Sequence, residues 1–101
     1  MFTSGNRNSL DPPELANEAV AREILRVWIR PDWSRMSVAL LPSSPDPSLW
    51  GIALVDIARH VAKAYALDGV KSENEALARI REVFDAEWSS PTEMPEGRLR
   101  E

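Results

Sequence analysis

The spacing of apolar and polar residues changes several times along this chain, and each rhythm predicts an element. The clearest change is at Leu25-Arg26-Val27-Trp28-Ile29-Arg30, where Leu25, Val27 and Ile29 alternate with Arg26, Trp28 and Arg30. A period of two, rich in branched and aromatic side chains, predicts a strand. From Arg35 to Leu41 the rhythm repeats, with Met36, Val38 and Leu40 on one face and Ser37 and Ala39 on the other. Between them, Arg30-Pro31-Asp32-Trp33-Ser34 reads as a turn, because Pro31 fixes one backbone angle. The two runs predict a β-hairpin.

Helical spacing brackets the hairpin. Asp11 precedes Pro12 and Pro13, a helix-start signal, since a proline in the first turn lacks an N–H that has no partner there anyway. A helix from about Pro13 to Glu23 is expected, with Leu15, Ala16, Ala19 and Val20 along one side. After the loop Pro42-Ser43-Ser44-Pro45-Asp46-Pro47, the Asp-Pro start recurs. A second helix then runs through LWGIALVDIARHVAKAYALD, residues 49–68, and Gly69 is a natural stop. Ser72-Glu73-Asn74-Glu75 spells a capping box, in which the serine oxygen and the glutamate satisfy main-chain N–H groups reciprocally. Leu77, Ile80, Phe84 and Trp88 follow at helical spacing, so a third helix reaches about Trp88.

The predicted order is helix, strand, strand, helix, helix. This is an α+β domain whose helices cover one face of a small antiparallel sheet. Residues 11–90 are expected to form one domain. Residues 1–10, without periodicity, read as a flexible arm. Residues 91–101, rich in charge and proline, read as a disordered tail.

Composition narrows the functional classes. The 101 residues carry a formal net charge of −4, which removes the general attraction of a basic surface for nucleic acid. The chain has no cysteine, so disulfides, zinc–thiolate sites and cysteine nucleophiles are excluded. A single histidine excludes a His-rich metal site within one chain, and no cofactor is implied. The start MFTSGNRNSL has no apolar run behind basic residues, so no signal peptide is expected, and no stretch is apolar enough to cross a bilayer. A cytoplasmic location is expected.

The second helix carries the candidate chemistry. On a helical wheel, Asp56, Arg59, His60 and Lys63 share one polar stripe with Leu49 and Ile52, and most other positions are apolar. A helix apolar on so much of its circumference should contact protein on most sides. Gly51, Ala58, Ala62 and Ala66 form a line of small residues that admits a second helix axis, from the third helix or from another copy. Asp56 and His60 stand four apart and can meet. Asp56 then orients His60 as a general base or ligand group, with Arg59 and Trp50 nearby; or the pair is an ion pair on the helix's wet stripe. No serine or threonine has the setting of a nucleophile. On the hairpin, Arg26, Trp28 and Arg30 share a face. They can stack on a nucleic-acid base or a ligand ring, or cover an interface between copies.

The segments ILRVWI, WGIALVDIARHVAKAYA and ALARIREVFDAEW resemble a family of small bacterial proteins, mainly proteobacterial, known as a domain of unknown function. The likeness spans about residues 20–88. It is carried most specifically by WG-x-x-L-x-D-x-A-R-H-x-A, here Trp50, Gly51, Leu54, Asp56, Ala58, Arg59, His60 and Ala62. The resemblance implies a small bacterial protein and brings no activity with it. Taken together, the residues predict a non-enzymatic interaction module acting as a homodimer. A ligand-binding protein or enzyme built on Asp56, Arg59 and His60 is the alternative, with single-stranded nucleic-acid binding behind it.

Overall fold

The computed structural model describes residues 8–92. Most of the expected N-terminal arm and C-terminal tail lies outside the described residues. The elements are a 3-10 turn at Glu14–Asn17, strands β1 (Leu25–Ile29) and β2 (Met36–Leu40), and helices α1 (Ser48–Leu67) and α2 (Glu73–Ser89). The fold is α+β, in the predicted order. It divides between Leu41 and Pro42 into two compact units, one holding the hairpin and one holding the helices.

The first helix is much shorter than its start signal predicts. Instead of running from Pro13 to Glu23, the chain makes one 3-10 turn and is extended again at Glu18, with φ −79° and ψ 135°. Pro13 is itself extended, and no side chain caps the turn. An eleven-residue helix is marginal in water unless tertiary packing holds one face. This segment buries no face, since Leu15 is 60% exposed and Val20 83%.

Strands β1 and β2 pair antiparallel, with Leu25 opposite Leu40, Val27 opposite Val38 and Ile29 opposite Met36. One face is therefore apolar at every position, and the other carries Arg26 and Trp28 beside Ala39 and Ser37. The loop closes through the Trp33 N–H to the Arg30 carbonyl (2.8 Å), and the Arg30 N–H donates to the Arg35 carbonyl (3.1 Å). Asp32 accepts from the Ser34 N–H at 3.0 Å, the local bond that makes aspartate a turn residue. Trp33 takes a positive φ of 62°.

Helix α1 begins one residue before its predicted start. Asp46 does the capping from outside the helix: its Oδ1 accepts from the Ser48 N–H (3.0 Å) and the Ser48 hydroxyl (2.8 Å). The helix ends in a Schellman motif. Gly69 has φ +73°, its N–H donates to the Ala66 carbonyl, and the Val70 N–H reaches back to Tyr65. The capping box that opens α2 is complete. The Ser72 hydroxyl accepts from the Glu75 N–H, and Glu75 Oε1 accepts from the Ser72 N–H, each at 3.1 Å. Helices α1 and α2 pack on one another as an αα-hairpin across the short link between them. The two buried side chains of the described residues, Ala62 and Ala76, sit in these two helices.

Candidate functional site

Asp56 and His60 lie on the open side of α1, where their side chains are 70% and 74% exposed. His60 Nδ1 sits 2.8 Å from the main-chain carbonyl of Asp56 and 3.7 Å from its carboxylate Oδ2. A carbonyl oxygen only accepts, so in this bond Nδ1 is the donor. The Asp56 main chain, more than its carboxylate, therefore fixes the ring. Arg59 shares the polar stripe, but residues next to each other in a helix point about 100° apart, so Arg59 and His60 do not face one another.

Trp50 stands apart from this group. It precedes His60 by ten residues, which is about 15 Å along a helix. Its indole Nε1 donates to the Pro42 carbonyl at 2.8 Å, and its ring is half-buried. Trp50 thus ties the 42–47 loop to the first turn of α1. The structure places Asp56 and His60 together, and Trp50 elsewhere. Nothing in the local sequence pattern signals a side-chain bond to a carbonyl eight residues upstream.

The line of small residues divides in two. Ala62 is buried, and Ala58 and Ala66 are half-buried on the same side. Small side chains there let α2 approach within one chain. At Gly51 an added Cβ would meet nothing within 4 Å. Another stripe of α1 stays open: Leu54, Ile57, Val61 and Tyr65 are each 39–46% exposed. On α2, Phe84 stacks on Trp88 with ring centroids 5.6 Å apart, yet the rings remain 49% and 78% exposed.

Three acidic residues of α2, Glu82, Asp85 and Glu87, each have their own partner. Arg79 donates to Glu82 at 2.8 Å, Arg81 to Asp85 at 3.0 Å, and Thr92 donates to Glu87. The Thr92 hydroxyl and then its N–H hold the Glu87 carboxyl below the usual carboxylate range. Among the described residues, no group of three acidic or imidazole side chains is placed to hold a metal ion. No helix there is long and apolar enough to cross a membrane.

On the hairpin, Arg26 grips Glu23 with two hydrogen bonds, from Nε at 3.2 Å and Nη2 at 3.0 Å. Trp28, two residues on, shares its face and is 37% exposed. Arg30 contributes its N–H to the last rung before the turn. A shallow groove at the other end of the hairpin is lined by Ile24, Leu25, Arg26, Leu40 and Leu41, among others.

The model of one protein family, described as a domain of unknown function, DUF5076, matches residues 10–92. The chain belongs to the DUF5076 family. The match takes in the hairpin, both helices and every candidate residue above. A solved structure described as that of a "putative pyruvate dehydrogenase", from the photosynthetic bacterium Rhodopseudomonas palustrus CGA009, is 37% identical to this DUF5076 chain. The alignment covers 99% of this chain and 100% of that one, with a TM-score of 0.71. Comparison with curated proteins gives no match.

Proposed function

We propose that this DUF5076 chain is a non-enzymatic protein-contact module that works as a homodimer. The observation that carries the reading is the imbalance between apolar surface and burial. Among the described residues the buried side chains are two alanines, and no large side chain is fully buried. Ile52, Val55 and Leu67 on α1 are 67%, 55% and 87% exposed, and Val27 and Met36 on the hairpin are 47% and 44% exposed. Single exposed apolar side chains are ordinary, whereas contiguous faces mark contact surfaces. A two-stranded sheet is marginal by itself in water, so the hairpin gains most from a partner. A second copy is the occupant that every cell making this chain supplies, and a self-complementary patch is the commonest route to a closed assembly.

The Rhodopseudomonas protein is described as a "putative pyruvate dehydrogenase". His60 faces solvent beside a backbone carbonyl rather than a substrate cleft. That open setting supports contact over catalysis.

Light scattering across a concentration series tests the reading. The expected result is twice the chain mass of 11.3 kDa, falling toward the monomer only on dilution. A constant 11.3 kDa up to high concentration would end the homodimer reading.

A further inference from the structure

We infer that the homodimer forms through the outer edge of β1, which pairs antiparallel with β1 of a second copy so that Val27 faces its own counterpart. This inference rests on the homodimer reading above and adds where the contact lies and in which register. The Leu41 N–H donates to the Ile24 carbonyl and the Arg30 N–H to the Arg35 carbonyl, so both residue pairs are hydrogen-bonded rungs of the β1–β2 ladder. Rungs in an antiparallel pair alternate. Arg26–Ala39 and Trp28–Ser37 are therefore the other hydrogen-bonded rungs. The N–H and C=O groups of Leu25, Val27 and Ile29 point away from β2, and those of Met36, Val38 and Leu40 point away from β1. Neither strand contains proline or lysine, two residues commonly used to guard an edge.

Burial separates the two edges. On β2, Val38, Ala39 and Leu40 are half-buried, whereas on β1 every residue from Arg26 to Ile29 is exposed. β1 is the more exposed of the two strands, and its side chains choose the register. A symmetric pairing must set the outward-facing residues Leu25, Val27 and Ile29 against outward-facing residues of the partner. Centred on Val27, it matches the whole strand: Leu25 meets the second copy's Ile29, and Val27 meets Val27. The same register sets Arg26 across from the second copy's Trp28, in a rung without hydrogen bonds, where side chains come closest. A guanidinium over an indole ring is an attractive pair. Glu23 holds the edge of the Arg26 guanidinium and leaves its flat face for the ring.

The neighbouring registers lose this match. A shift of one rung toward the N-terminus sets Arg26 against the second copy's Arg26. A shift the other way sets Arg26 against Arg30. Like charges directly opposite one another are destabilising in a sheet. The favoured register gives a four-stranded sheet, β2–β1–β1–β2, with one face apolar throughout and an Arg26 side chain beside each copy of Trp28.

The absence of native cysteine makes the test clean, because a single introduced thiol can bond only to another copy. Directly opposed residues on hydrogen-bonded rungs have Cα atoms about 5.5 Å apart, inside the disulfide range. Under mild oxidation, Val27→Cys is expected to yield a covalent dimer. Leu25→Cys and Val38→Cys, whose counterparts lie far from themselves in this register, are expected to stay uncrosslinked. In parallel, Val27→Pro removes an outward N–H without touching the β1–β2 ladder. It is expected to weaken the dimer at least tenfold by light scattering, while Val38→Pro leaves it intact. A dimer that survives Val27→Pro and is not crosslinked by Val27→Cys would overturn the β1 contact and leave the homodimer reading standing. A wild-type chain that is monomeric throughout would overturn both. Crosslinking of Leu25→Cys in place of Val27→Cys would overturn the register.

Discussion

Two glycines of α1 and its cap make opposite demands on a side chain. Gly69 sits at φ +73°, where a Cβ crowds the following carbonyl. Gly69→Ala should therefore cost about 1–2 kcal/mol in unfolding free energy, read as a lower urea midpoint. Gly51 is helical, and an added Cβ there meets nothing within 4 Å. Gly51→Ala should raise stability by roughly 0.5–1 kcal/mol, because alanine loses less backbone entropy on entering a helix. If Gly51→Ala instead destabilised the protein, a second helix would have to approach at that point, and the small-residue line would be shared between copies. Gly69 is legible as a stop because its place after a long apolar-periodic run calls for a left-handed residue. Trp33 is not legible in that way. A left-handed φ on a bulky residue costs on the order of 1 kcal/mol, so no propensity rule would put tryptophan there. The turn holds it through its own bonds. Hydrogen bonding from Ser34, hydroxyl first and then main chain, keeps the Asp32 carboxyl below its usual range. The Trp50–Pro42 bond is equally invisible in the sequence, since it depends on the path of a proline-rich loop.

The elements themselves were legible wherever a periodic run met a specific stop or start. The hairpin register follows from alternation on both strands, and the bounds of α1 and α2 follow from Asp46, Gly69 and Ser72. The first helix failed because its signal was only a start: Asp11, Pro12 and Pro13 prepare a turn, but nothing packs on Leu15 or Val20 to extend it. Where a cap carries a carboxylate, it also carries a pH dependence. The Ser72 main-chain N–H, and then other Ser72 bonding, hold the Glu75 carboxyl below its ordinary value. A depressed carboxyl stabilises the fold above the unfolded carboxyl's range, near pH 4–4.5, and that contribution fades as pH falls through the lower folded value. Hydrogen exchange at the first turn of α2 should therefore quicken as pH falls below about 4, after correction for intrinsic rates. Glu75→Gln keeps an acceptor for the Ser72 N–H and cannot titrate, so its first turn should lose that acid sensitivity. An equal loss of protection in Glu75→Gln would show that other carboxylates control the helix start. Ser72→Ala removes the reciprocal bond and should cost about 1 kcal/mol at neutral pH.

At the scale of the whole molecule, the question is where the stability comes from. Burying Ala62 and Ala76 removes little apolar area from water, and side chains such as Trp88 at 78% and Leu67 at 87% exposure contribute little within one chain. The surface ion pairs, Arg26–Glu23, Arg79–Glu82 and Arg81–Asp85, join side chains that are all more than half exposed. Exposed pairs of this kind contribute a median of about 0–1 kcal/mol and are screened by salt. On the homodimer reading, association supplies the rest, because a partner that binds only the folded chain stabilises it by mass action. The melting temperature should therefore rise with protein concentration. Each tenfold change is worth about 1.4 kcal/mol per dimer, or roughly 3–5 °C for subunits of this size. The rise should persist in high salt, since the proposed contact is chiefly a backbone ladder between apolar residues. Val27→Pro should flatten the dependence by removing the ladder, whereas His60→Ala, on the solvated stripe of α1, should leave it unchanged. A melting temperature independent of concentration in the wild-type chain would mean that a single chain holds its own fold, and the exposed faces would then have to await a different protein.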